Sequence, residues 1–121
     1  MRRRASVQLL AALLGAVLLL LGVLGFVPGI TAAHEKLFGL FRVSVLHNLV
    51  HLLMGAAGIA LASTRVGARR FLAAAGLVLL ALWALGVAGG AGWLPVSSDD
   101  NWLHLALGTS AIGFGYVAAE V

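Results

Sequence analysis

The sequence predicts an all-α fold, an integral membrane four-helix bundle made of two tandem helical hairpins. Of the 121 residues, 62% are hydrophobic and only 10% are charged. In soluble domains about a quarter of the residues are charged. Four apolar segments approach the length of about 20 residues that a helix needs to cross the bilayer core. An eight-residue polar motif also occurs twice, once in each half of the chain.

The expected spans all belong to a single domain, residues 1–121. They cover about residues 7–27, 43–62, 71–92 and 102–119. Pro28 is expected to end the first span and Pro95 the third, because proline cannot continue the helical hydrogen-bond ladder. Serine and aspartate side chains at residues 97–100 are suited to cap the fourth helix.

Basic residues indicate the orientation of the spans. Arginines cluster at residues 2–4 and again at residues 65–70, and such clusters mark cytoplasmic segments. We therefore expect a multi-pass protein of the bacterial inner membrane with both termini in the cytoplasm. The bacterial source is inferred from seven arginines against one lysine in a chain rich in Ala, Gly and Leu. The amphipathic residues 31–42 are expected to lie in the outer interface or to extend the second span as a helix.

The repeated motif reads N-x-x-H-L-x-x-G. Its copies are "NLVHLLMG", from Asn48, and "NWLHLALG", from Asn101. Each copy is near the outer start of the second helix in a hairpin, so the hairpins at about 7–62 and 71–119 form a parallel repeat. Such repeats are related by a pseudo-two-fold axis along the membrane normal, which would place His51 and His104 at equal depth.

The segments "FRVSVLHNLVHLLMGAAGIALA" and "DDNWLHLALG", together with four expected spans, give the chain a family resemblance. It resembles the uncharacterised bacterial membrane-protein family known as domain of unknown function 4383 over nearly its whole length. The resemblance implies a small four-span membrane protein. It implies no activity, cofactor or catalytic residue.

Polar side chains on the second and fourth spans are expected to point into the bundle. His47 and His51 are four residues apart and share a helix face. On the second span, small residues follow His47 and His51 along the same helix face, and on the fourth span small residues follow His104 in the same way. Small residues mark close helix contacts in membranes. Those residues are Gly55 and Gly58 on the second span and Gly108, Ala111 and Gly115 on the fourth. The predicted polar cluster consists of Asn48, His51, Asn101, His104, His47 and Asp100.

One hypothesis for this cluster is structural. Asn and His side chains can hydrogen-bond across helices at about 0.6–2 kcal/mol per contact. Asp100 would hold His104 as a helical pair, and His47 would meet water near the interface. The chain would then be a structural or accessory membrane protein with no cofactor.

The alternative hypothesis is a histidine-ligated metal or haem. His47, His51 and His104 would supply three imidazole nitrogens, with Asp100 or His34 as a fourth ligand. A haem would instead take its two axial ligands from His51 and His104 on facing helices. A proton relay has weaker support, because the inner half of each span lacks ionisable residues.

Catalysis and soluble partners have little support in the sequence. There is no paired-carboxylate, nucleophile–base or phosphate-loop pattern, so no catalytic residue is assigned and an enzyme is not expected. The absence of cysteine excludes disulfides. Basic residues flank apolar segments, which indicates the lipid bilayer as the partner and argues against nucleic acid. A membrane-protein partner or a homo-oligomer is left open.

Overall fold

Four helices form most of the part of the chain that the computed structural model describes, residues 5–27, 31–32, 36–37, 41–42, 45–88 and 98–119. They are α1 (Ser6–Leu24), α2 (Val45–Leu61), α3 (Arg65–Val87) and α4 (Ser98–Ala119). Between α1 and α2, three strands of two residues each pair as an antiparallel sheet in the order β1-β2-β3. The strands are β1 (Thr31–Ala32), β2 (Lys36–Leu37) and β3 (Phe41–Arg42). The all-α fold class is confirmed.

The bounds of several elements differ from the expected spans, and two differences bear on the site. The described residues of the 31–42 segment are extended, so a helical extension of the second span is wrong. Helix α3 begins at Arg65, six residues before the expected span, so the arginines expected in a loop lie in its first turns. The Thr64 side chain caps this early start, because its hydroxyl accepts a hydrogen bond from the Gly67 backbone N–H at 2.9 Å.

Glycines bring the two helices of each hairpin into backbone contact. In the first hairpin, a Cβ on Gly15 would lie 2.9 Å from the carbonyl oxygen of Gly55. In the second, a Cβ on Gly76 would lie 3.1 Å from the carbonyl oxygen of Gly108. Gly55 and Gly108 are the last residues of the two motif copies, so both hairpins make their close contact at the same motif position.

A glutamine joins the beginning of α1 to the end of α2. The Gln8 side-chain amide donates to the carbonyl oxygens of Ala62 at 3.1 Å and Ser63 at 3.0 Å. Its Oε1 atom accepts a hydrogen bond from the Ala5 N–H at 3.0 Å. One side chain therefore satisfies backbone groups at two helix ends that have no partner within their own helices.

Apolar side chains lie both inside the bundle and on its surface. Leu18 of α1 and Leu79 of α3 are fully enclosed. Large hydrophobic side chains are nevertheless more than half exposed on every helix. They include Leu13 on α1, Leu53 on α2, Leu77 on α3 and Phe114 on α4. Within the described residues, α1 and α3 are long and apolar enough to cross a membrane, and α2 is apolar but shorter.

Candidate functional site

Three histidines from two helices meet inside the bundle. His47 and His51 are one turn apart on α2, and His104 is in the second turn of α4. Their exposed fractions are 2%, 6% and 1%. One nitrogen from each ring can be chosen so that the three atoms all lie within 4.8 Å of one another. The structure therefore brings these three histidines together, and the cluster joins the first hairpin to the second.

The three rings are tilted against one another. The ring centroids of His47 and His51 are 4.3 Å apart with an angle of 52° between the planes. Those of His47 and His104 are 6.0 Å apart with an angle of 59°. His47 thus lies beside both other rings, and the tilt differs from the offset parallel stacking of aromatic pairs.

Two asparagines flank the histidine cluster, one in each hairpin. Asn48 of α2 packs its carboxamide against Gly25 at the end of α1, and Asn101 of α4 packs against Gly86 near the end of α3. Each asparagine precedes its motif histidine by three residues, which places the pair on neighbouring positions of one helix face. The sequence predicted these asparagines for the polar cluster, but it did not predict their glycine partners.

Several polar atoms of the site make no hydrogen bond within the described part of the chain. They are Nδ1 of His51, both ring nitrogens of His104, and Oδ1 of Asn48 and Asn101. Buried side-chain polar atoms usually have a partner. The cross-helix hydrogen bonds expected from a purely structural cluster are therefore not made by these atoms with other described residues.

Asp100 contributes a buried carboxylate to the same end of α4. It is 1% exposed and is four residues before His104. Asp100 directly precedes Asn101, just as His47 directly precedes Asn48. The two repeats thus carry an acid and a base at the same motif-flanking position.

The remaining site expectations have different outcomes. His47, expected to meet water in the structural hypothesis, is buried instead. His34, considered as a fourth ligand, lies outside the described residues. The small residues predicted to continue the two stripes are all buried: Gly55, Gly58, Gly108, Ala111 and Gly115. A signal for the missed glycine partners was available, because both first arms are rich in glycine.

The fold and site define a class of protein: a helical bundle that buries a histidine–asparagine cluster between two hairpins. The chain belongs to the family described as "Domain of unknown function (DUF4383)", whose family model matches residues 8–117. This confirms the resemblance found in the sequence, and the family description assigns no activity. No curated protein and no solved structure matches the chain.

Proposed function

We propose that the protein is a four-span protein of the bacterial inner membrane. Its support is the distribution of polarity, because large hydrophobic side chains face outward on all four helices while His104 and Asp100 are enclosed. Soluble monomers rarely expose extensive apolar surface, and ionisable groups within membranes face the bundle interior. The 17 residues of α2 extend about 25 Å, close to the thickness of the hydrocarbon core.

The two hairpins are proposed to be parallel copies related by a pseudo-two-fold axis along the membrane normal. Two pairs of contacts support this arrangement: Gly15 and Gly76 lie against corresponding motif glycines, and Asn48 and Asn101 each cover a glycine of the preceding helix. With arginines at the start of α3, the positive-inside rule places that end and both termini in the cytoplasm.

Cysteine labelling tests this topology. Cells carrying Ser63→Cys should label only after the membrane is opened, whereas Asp99→Cys should react with an impermeant maleimide in intact spheroplasts. Outside-accessible labelling at residue 63 would contradict the orientation. Extraction of the protein by alkaline carbonate would contradict membrane insertion itself.

For the site, we propose binding of a divalent transition-metal ion of the zinc or copper type by His47, His51 and His104. The observation that carries this proposal is the convergence of three buried imidazoles from two helices. Neutral imidazole is a ligand for zinc and copper. Nitrogens that bind one ion tetrahedrally at about 2.0 Å are about 3.3 Å apart. Because the three atoms lie within 4.8 Å of one another, the most separated pair would approach by at most about 1.5 Å, within the reach of side-chain rotations.

The buried nitrogen atoms favour this metal site over a purely structural cluster. A structural role requires hydrogen bonds across helices, but both ring nitrogens of His104 lack them within the described residues. A metal ion would bind one of these nitrogens. A haem between His51 and His104 is less favoured, because His47 lies beside both rings in the space that a porphyrin would fill.

Asp100 is proposed to be the fourth ligand of the metal ion or to balance the charge of the ion from beside a ligand. Three neutral imidazoles leave the charge of a dication unbalanced in a buried site, and burying an unpaired charge is costly. The Asp100 carboxylate is enclosed one turn before His104. The hydrogen bond from His104 to Asp100 that the sequence suggested is not made, because both ring nitrogens of His104 lack a partner among the described residues. The carboxylate would therefore act as a direct ligand or through its charge.

Metal analysis of the purified protein tests the site. Detergent-solubilised protein should contain close to one zinc or copper ion per chain, and cobalt(II) substitution should give visible ligand-field absorption. Both signals should be lost in His51→Ala and His104→Ala. The control is Leu53→Ala, which truncates an exposed side chain on the same helix.

A different result would overturn the metal proposal. If wild-type protein binds no metal, remains colourless with cobalt(II), and the histidine variants only unfold at lower temperature, the cluster has a structural role. A Soret band lost in both variants would instead identify haem.

A further inference from the structure

Helix α3 has an apolar groove on each side near its arginine-rich start. The groove between α3 and α4 has a cavity volume of about 370 Å³ and is lined by residues that include Arg69, Arg70, Leu72 and Tyr116. The groove between α2 and α3 has a volume of about 340 Å³, and Arg70 also lines it. The two grooves therefore share Arg70 as a lining residue.

The lining of both grooves combines one kind of charge with hydrocarbon. Apart from the arginines, the α2–α3 groove is lined by apolar side chains such as Met54, Phe71 and Val78. The α3–α4 groove is lined by Ile112 and Tyr116 as well as by the arginines. Among the described residues, those that line these two grooves include no acidic side chain to balance the arginines.

We propose that this surface binds an anionic phospholipid. Its phosphate lies against Arg69 and Arg70, and its two acyl chains follow the grooves on either side of α3. Guanidinium groups donate paired hydrogen bonds to phosphate oxygens, and basic pockets between spanning helices are suited to anionic lipid headgroups. The Tyr116 ring adds an amphipathic side chain of the kind found at membrane interfaces.

The chemistry distinguishes a lipid from soluble phosphate. A free anion would use the arginines alone and would gain nothing from the apolar grooves, whereas a phospholipid occupies both. The inference rests on the proposal that the helices cross a bilayer, but it does not depend on the metal centre.

Binding can be measured by native mass spectrometry of detergent-solubilised protein titrated with phosphatidylglycerol or phosphatidylcholine. We expect preferential retention of phosphatidylglycerol, with a loss of about fivefold in affinity for each arginine removed in Arg69→Gln and Arg70→Gln. The matched control is Arg65→Gln, on the same exposed end of α3 but outside the lining of both grooves. It should bind like wild type.

A second pair of variants tests the grooves without changing the charge. Ala73 lines the α3–α4 groove and Ala74 the α2–α3 groove. Ala73→Phe and Ala74→Phe should each weaken phosphatidylglycerol binding while their unfolding temperatures stay near that of wild type, because both positions are exposed.

Three outcomes would overturn the inference: equal retention of the two lipids, an equal loss in Arg65→Gln, or full competition by inorganic phosphate. Equal retention would mean that the surface does not select anionic lipids. An equal loss in Arg65→Gln would indicate general attraction between charges, and full competition by phosphate would indicate a site for a free anion. Carbonate extraction separates these failures from a failure of the membrane proposal. A protein that resists extraction but shows no lipid preference refutes only the lipid site.

Discussion

Asn101 of α4 packs its carboxamide so closely on Gly86 of α3 that a side chain at residue 86 would overlap it. Asn48 and Gly25 have the same relationship in the first hairpin. These contacts fix each motif helix against its partner at the level of the histidines. The Asn residues thus set the height of each motif helix within its own hairpin.

Alanine at either glycine should disrupt its hairpin. Gly25 has φ −63°, which alanine adopts readily, so any cost of Gly25→Ala arises from overlap with Asn48. We expect Gly25→Ala and Gly86→Ala each to lower the free energy of unfolding by about 1–3 kcal/mol, as overpacking does. Reversible unfolding in mixed micelles measures the change.

Gly113→Ala is the matched control for these two substitutions. A Cβ at Gly113 of α4 meets nothing within 4 Å. Alanine is also favoured over glycine in a helix by about 1 kcal/mol, so this variant should be as stable as wild type or more so. Equal stability changes in all three alanine variants would contradict the close asparagine contacts.

The ring of Phe71 on α3 packs directly on Gly58 of α2. Gly58→Ala should be destabilising because its methyl group would overlap that ring. Phe71→Leu shortens the side chain and should reduce the overlap, so the double variant should be more stable than additivity predicts by about 0.5–3 kcal/mol. As a control, a double-mutant cycle combines Gly58→Ala with Phe114→Leu, at an exposed position on α4. Its changes in unfolding free energy should be additive.

Gln8 should stabilise the packing of α1 on the end of α2 through its two donated hydrogen bonds. Gln8→Ala removes these and the bond from the Ala5 N–H, and should cost about 1–2 kcal/mol of unfolding free energy. Gln8→Glu keeps the size and the acceptor but removes the donors, so it should also be destabilised. Wild-type stability of the Glu variant would show that the donated bonds contribute nothing.

Asp100→Asn should weaken the proposed metal site while preserving the size of the side chain. Changing a partner of a metal ligand typically lowers affinity by about 10–100-fold, and competition with a chromogenic chelator measures this ratio. Asp99→Asn removes the same charge one residue earlier and should leave affinity nearly unchanged. Equal affinities for wild type and Asp100→Asn would remove the carboxylate from the site.

The sequence predicted the inward direction of the polar stripes because that direction follows from helical geometry alone. Residues four apart share a face, and the small residues that follow His51 and His104 mark the packed side. The true start of α3 was missed because hydropathy detects apolar runs, whereas helix formation also uses arginines and a Thr64 cap. The strands were missed because amphipathic residues 31–42 also suit an interfacial helix.

The meeting of His47 with His104 could not be derived from a pattern. It depends on the rotation and height of α4 relative to α2, which tertiary packing sets. These quantities follow from the contact of Gly76 with Gly108 inside the second hairpin together with the contact of Phe71 with Gly58 between the hairpins. Sequence spacing places His47 and His51 together, but it places neither of them relative to the other hairpin.

His47 in one motif copy and Asp100 in the other occupy corresponding positions, directly before the motif asparagine. This difference affects which side chains the proposed metal centre can contain. Two identical hairpins associating as a homodimer would have to carry the same residue at both places, two bases or two acids. Joining the hairpins in one polypeptide removes that constraint, because each copy can then change alone. The covalent link thus allows a histidine at one position and an aspartate at the corresponding position of the other motif copy, which a symmetric dimer of a single hairpin could not provide.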